Sequence, residues 1–173
     1  QSIEVLGQKI KTGLGDQVRR AGLAMTAFGV GITAVLGFAV KATLEEEQGI
    51  RRLDTALQRA GVSYLQNKQA IEGVVAAQQR LTNFGDSESR ATLERLLTLT
   101  SDYTTSLAAV PVTLDIATSL MIDHASAATL VGKALTGSGE ALSRYGVKLA
   151  EGATKTEILA ALTAKFGGSA EAA

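Results

Sequence analysis

Few side chains in this chain are of a type and spacing that could do chemistry. His124 is the only histidine, and Asp123 stands beside it. No Ser or Cys nucleophile lies at a spacing that would complete a catalytic set with them, and the chain has no cysteine at all. His124 therefore reads as a structural residue at a helix end. No H-E-x-x-H, C-x-x-C or calcium-loop spacing occurs, so no built-in metal site is expected. Glu45, Glu46 and Glu47 concentrate acid at one point. Consecutive helical residues point about 100° apart, so these three cannot converge on one proton or cation and read as a solvated helix start. Gly132-Lys133 looks like the tail of a phosphate-binding loop. Ala127 stands where the first Gly of that loop belongs, and Ala134 replaces the Ser or Thr that would hold Mg²⁺. Gly29, Gly31 and Ala34 fit the G-x-G-x-x-A turn of dinucleotide sites, which requires a strand before it and βαβ units around it. No convincing strand surrounds it. The residues thus supply no catalytic group, no cofactor site and no metal site, and no enzymatic activity is expected.

What must be explained instead is an apolar run. Ala21 to Val40, AGLAMTAFGVGITAVLGFAV, contains no charge. Arg19 and Arg20 close it on one side; Lys41 and the three glutamates close it on the other. As a helix it would be about 30 Å long, near the thickness of a bilayer's hydrocarbon core. Gly29, Thr33 and Gly37 recur at every fourth position and share one helical face, which permits close approach of another helix. Phe28, Leu36 and Phe38 are large apolar residues of the same run. The six are the candidate membrane or helix-packing residues. A helix buried in a soluble oligomer would show the same pattern, and the four glycines of the run lower both helix propensity and hydrophobicity. A long polar stretch precedes the run, so it is not a signal peptide by position.

The composition agrees with helices packed through small residues. Aromatic residues make up 4%, there is no Trp, and there is one Pro. Lys plus Arg total 17, as do Asp plus Glu, so no basic footprint for nucleic acid exists and no sequence-specific nucleic-acid partner is expected. The first residue is Gln, which suits a piece of something longer.

Three regions follow: residues 1–20, a basic amphipathic entry segment; 21–41, the apolar helix; and 42–173, a helical module. In the last, Ile50, Leu53, Leu57 and Ala60 form a stripe that Gly61 should end. Ser63 should cap a helix with Ile71, Val74, Val75, Leu81 and Phe84 on its apolar side, ended by Gly85. Asp86 or Ser87 should cap the next, which buries Leu93, Leu96 and Leu97. Ser101 and Asp102 offer another start, and a helix should begin or kink near Pro111, with Leu114, Ala117, Leu120 and Met121 on its buried face. Ser126 should cap a helix running to Leu135. Gly137-Ser138-Gly139 should turn, a short helix should run from Glu140 to Tyr145, and Thr154 with Glu157 should form a capping box before Ile158, Leu159, Leu162 and Phe166. The fold class expected is all-α, with Gly-rich punctuation and one 20-residue apolar helix, in an oligomer.

Three stretches also resemble a known family. They are residues 6–47, LGQKIKTGLGDQVRRAGLAMTAFGVGITAVLGFAVKATLEEE; residues 89–120, SRATLERLLTLTSDYTTSLAAVPVTLDIATSL; and residues 130–172, LVGKALTGSGEALSRYGVKLAEGATKTEILAALTAKFGGSAEA. Together they look like the front part of phage tail tape measure proteins. GKALTGSGEALSRYGV is similar to a recurrent stretch of that family, K-A-L-x-G-x-x-x-x-L-x-x-x-G, and KFGGSAEA to the segment that closes it. The resemblance implies a structural virion protein that lies in the tail lumen, helps set tail length and assists genome delivery through the host inner membrane. It implies tail tube and tail tip proteins as partners, and copies of itself, a trimer above all. The chain lacks the long heptad-rich ruler of the family and would be one segment of it. Two other classes remain open from the residues alone: a pore-forming or membrane-active helical protein unrelated to phage, and an enzyme whose site is too dispersed to see.

Overall fold

The computed structural model describes residues 32–173, with side chains from residue 45 onward. Among the described residues all regular structure is helical. The elements are α1 (Ile32–Arg59), α2 (Tyr64–Leu81), α3 (Asp86–Thr100), α4 (Tyr103–Leu120), α5 (His124–Leu135), α6 (Glu140–Ser143) and α7 (Lys155–Phe166). The chain divides into two units, residues 1–45 and 46–173. Of the first, only the helical backbone from Ile32 is described. Residues 1–31, with the entry segment, Phe28 and Gly29, lie outside the described residues. Ile32 to Val40 is helical and continues without a break into the charged segment, so Glu45, Glu46 and Glu47 stand mid-helix rather than at a helix start. Among the described residues no helix is long and apolar enough to cross a membrane.

In the second unit α2, α3, α4, α5 and α7 each start where a side chain satisfies a free amide group, whereas α6 starts after Gly139 without one. Ser63 caps α2 by accepting the Gln66 N–H. Asp102 caps α4 through Thr105, and Thr154 caps α7 with the reciprocal Glu157 bond expected of a capping box. Two caps differ from the sequence expectation. Gly85 does not end α2, which stops at Leu81; it is the N-cap of α3, and the Glu88 carboxylate reaches back to its N–H at 2.8 Å. Asp123, not Ser126, caps α5, because a carboxylate three residues before a free amide is the better acceptor. The start offered by Asp102 is used, so α4 begins at Tyr103, and no helix begins at Pro111, which lies in the interior of α4.

The core is built around α3, α4 and α5, which pack on one another, with α7 against α4. Leu93, Leu96 and Leu97 of α3 meet Val110, Leu114 and Ile116 of α4 and Val131 and Leu135 of α5 in one cluster. Every residue from Val112 to Ala117 is buried, so α4 is covered all round, as an interior helix must be. Ile158, Leu162 and Phe166 of α7 complete the cluster. The stripe Leu53–Leu57 of α1 and Ile71–Val75 of α2 is buried as expected. Leu81 and Met121 are not: Leu81 is half exposed at the end of α2, and Met121 is 94% exposed as the left-handed residue that terminates α4. In that conformation its side chain leaves the face shared by Leu114 and Ala117.

Candidate functional site

The candidates read from the sequence separate in space and in role. His124 is the first residue of α5. Its neighbour Asp123 accepts the Ser126 N–H at 2.8 Å and the Ser126 hydroxyl at 2.6 Å. Those bonds hold the Asp123 carboxyl below its usual range and employ it as a cap. Gly132 lies within α5, buried against α3, where a Cβ would stand 2.6 Å from Leu99 Cδ1 and 3.0 Å from Leu99 Cβ. It is a close-packing glycine on a helix, and the adjacent Lys133 is exposed. Among the described residues no group of three or more His, Cys, Asp or Glu could hold a metal ion. Glu45, Glu46 and Glu47 are exposed, and Glu47 pairs with Arg51 at 3.0 Å one turn on. Thr33, Leu36, Gly37 and Phe38 fall on α1, but their side chains, like Phe28 and Gly29, lie outside the described side chains.

The densest polar constellation was not anticipated. The Arg90 side chain of α3 is about 10% exposed, and its guanidinium binds Glu72 of α2 through two bonds, Nε to Oε1 at 3.1 Å and Nη2 to Oε2 at 2.7 Å. Its Nη1 binds Asp86 at 2.8 Å and faces Glu46 of α1 at 3.8 Å. The Tyr64 hydroxyl donates to Glu72 Oε1 at 2.9 Å. The Arg90 bonds, over the opposing effect of burial, hold the Glu72 carboxyl below its usual range. Glu72 in turn raises the Arg90 guanidinium further, and burial together with the Glu72 bond pushes the Tyr64 phenol up to about 12. A permanently charged guanidinium with satisfied carboxylates is an ion-pair joint; it leaves no free base or nucleophile. The sequence did carry a trace of it. Arg90 stands three residues before Leu93 and seven before Leu97, on the buried face of α3, where an arginine needs buried partners.

A second polar site ties the end of the chain to the core. Asp115, in the middle of the most buried stretch of α4, accepts the N–H groups of Gly168 at 3.2 Å and Ala170 at 2.8 Å. At the other end of α4, Asp102 accepts from the Thr105 N–H at 3.0 Å and from Lys155 Nζ at 2.8 Å. Lys155 first, and then the cap bond, lower the Asp102 carboxyl to about 2. Open grooves lie on the surface of the described residues. One, of about 650 Å³, lies along Ile50, Asp54, Val62 and Leu65; another, of about 690 Å³, lies along Gly137, Ser143, Lys148 and Ile158. Neither aligns a nucleophile with a base.

The pattern in residues 130–172 has a structural basis. Leu135 and Leu142 are buried, while Gly137 and Gly146 have φ of 98° and 80°, which side chains with a Cβ rarely adopt. Phe166 and Ala170, which bracket the two closing glycines, are buried as well. No protein-family model, no curated protein and no solved structure matches this chain.

Proposed function

We propose that this chain is a segment of a phage tail tape measure protein: a structural virion component that occupies the tail lumen and assists genome delivery. The reading is carried by the pattern L-x-G-x-x-x-x-L-x-x-x-G in residues 135–146, which resembles the family's recurrent stretch. Each fixed position of that pattern is either a buried leucine or a left-handed glycine here, so the likeness rests on residues the fold requires. The all-helical architecture is compatible with it. So is the role of the polar constellations, which join helices and present no reactive group.

Residues 46–173 fold back on themselves, and helix lengths that fold back do not add along an axis. This unit is therefore a compact module of the parent protein, and the ruler that sets most of the tail length lies elsewhere in it. The apolar run from Ala21 to Val40 is assigned to helix packing in the tail, through Gly29, Thr33 and Gly37, and to the host inner membrane during delivery. The partners are the tail tube and tail tip proteins and further copies of this chain, as a trimer.

Mass spectrometry of tails separated from heads, from particles made by the encoding strain, tests the reading. The chain should be present at a few copies per tail and absent after the genome has been released. Tails of native length that never contain it would remove the assignment.

A further inference from the structure

We propose that Arg90 is a clasp: it holds a hairpin, made of residues 46–59 of α1 together with α2, on a self-sufficient core of α3 to α7, and the hairpin can leave as one unit. From Glu46 onward, among the described residues, the side-chain ion pairs and hydrogen bonds that cross from hairpin to core all run through Arg90, to Glu72 and to Glu46. The core has its own ties. Asp102 binds Lys155 across α4 and α7, Asp115 binds the segment after α7, and Arg95 donates to Thr129 between α3 and α5. The turn after α1 is bonded within itself, the Gly61 N–H to Gln58 and the Val62 N–H to Leu57, so its bonds do not depend on the core.

Burial separates α2 from the central core helix. Of the 18 residues of α2, the buried ones are Tyr64, Ile71, Val75 and Gln78; α4, of equal length, buries nine. Leu65 at 82% exposure and Leu81 at 50% further reduce what α2 contributes to the core. A segment with few buried apolar contacts and one polar tie opens below the global unfolding free energy. When it opens, Leu53, Leu57, Ile71 and Val75 are exposed to solvent. The inference concerns the fold and stands whether or not the chain belongs to a phage tail.

Native-state amide exchange of the full 173-residue chain tests it, read by mass spectrometry in urea below the unfolding transition. Amides of Leu53–Leu57 and Ile71–Val75 should open with a smaller urea dependence than those of Leu93–Leu97, Leu114–Ala117 and Val131–Leu135. All of these amides converging on one curve throughout would overturn the proposal, and that outcome depends on no variant. The Glu72→Gln variant then isolates the clasp. Exchange in the hairpin should accelerate roughly tenfold, the scale of one charged hydrogen bond, while the α3–α5 amides keep their rates. Unchanged hairpin rates, or equal acceleration in both parts, would overturn the role given to Arg90.

Discussion

The Asp115 carboxylate on α4 accepts the backbone N–H of Ala170, 55 residues further along the chain, at 2.8 Å. The bond is buried, and its companion to Gly168 occupies the other oxygen. Asp115→Ala therefore leaves two amides without acceptors and loosens the last turn, at a cost of about 1–3 kcal/mol. Asp115→Asn keeps one carbonyl acceptor and should cost less. Urea unfolding of both variants measures the order; equal stability of Asp115→Ala and the parent chain would show that water replaces the carboxylate at no cost.

Two tyrosines should respond in opposite directions to the same substitution. The Tyr64 hydroxyl donates to Glu72, whereas the Tyr103 hydroxyl is buried with no partner among the described residues. Tyr64→Phe loses a bond to a charged group and should destabilise by about 1.5 kcal/mol. Tyr103→Phe removes a desolvated hydroxyl and should stabilise by about 1 kcal/mol. Thermal unfolding of the two variants side by side gives the signs.

Glycines separate by what their missing Cβ would meet. At Gly132 it would press on Leu99, so Gly132→Ala should destabilise by about 1–3 kcal/mol, and Leu99→Ala in the same chain should restore part of that. At Gly73, in the exposed interior of α2, nothing lies within 4 Å. Gly73→Ala should stabilise by about 0.5–1 kcal/mol through helix propensity alone. Denaturation midpoints that fail to separate the two would count against the close α3–α5 packing.

The periodic apolar positions were legible because burial repeats with the helix: Leu53 and Leu57, Leu93 to Leu97, and Leu162 with Phe166 all stand where their spacing put them. Cap identity was less legible, since Gly85 is followed by Asp86 and Asp123 stands three residues before Ser126, each a residue type that also caps helices. The Arg90 and Asp115 sites were not read at all. Each joins groups far apart in sequence, and such pairing is fixed by how helices assemble, not by local pattern. What the sequence did show for each was one charged residue at an apolar register.

Acid should weaken the fold through carboxylates whose folded pKa is depressed. Asp102, lowered from 3.8 to about 2 by Lys155 and its cap bonds, gives stability that is present above its unfolded value and is lost as pH falls toward 2. Glu72, lowered chiefly by Arg90, acts in the same direction below 4.5. Lys155→Met removes the largest cause at Asp102, so its titration, followed by NMR, should move back up toward 3.8. An unmoved titration would mean that the Thr105 cap, not the ammonium, sets the value.

If the chain is the tail segment proposed above, tail length distinguishes a folded module from a stretch of ruler, and duplication tests it without removing any core helix. A second copy of residues 46–173 placed in tandem in the parent protein keeps each copy intact, including the Arg90 and Asp115 joints. Were these residues continuous helix along the tail, the added copy would lengthen the tail by roughly 190 Å at 1.5 Å per residue. Folded as α1 to α7 are, it adds little more than its own diameter. A compact domain of this length has a radius of gyration of about 14 Å, so the increase should not exceed roughly 40 Å. Electron microscopy of tails resolves the two values easily. Lengthening near the larger figure would mean that the module opens and lies extended in the tail, and that the contacts holding α3, α4 and α5 together are broken in the assembled state.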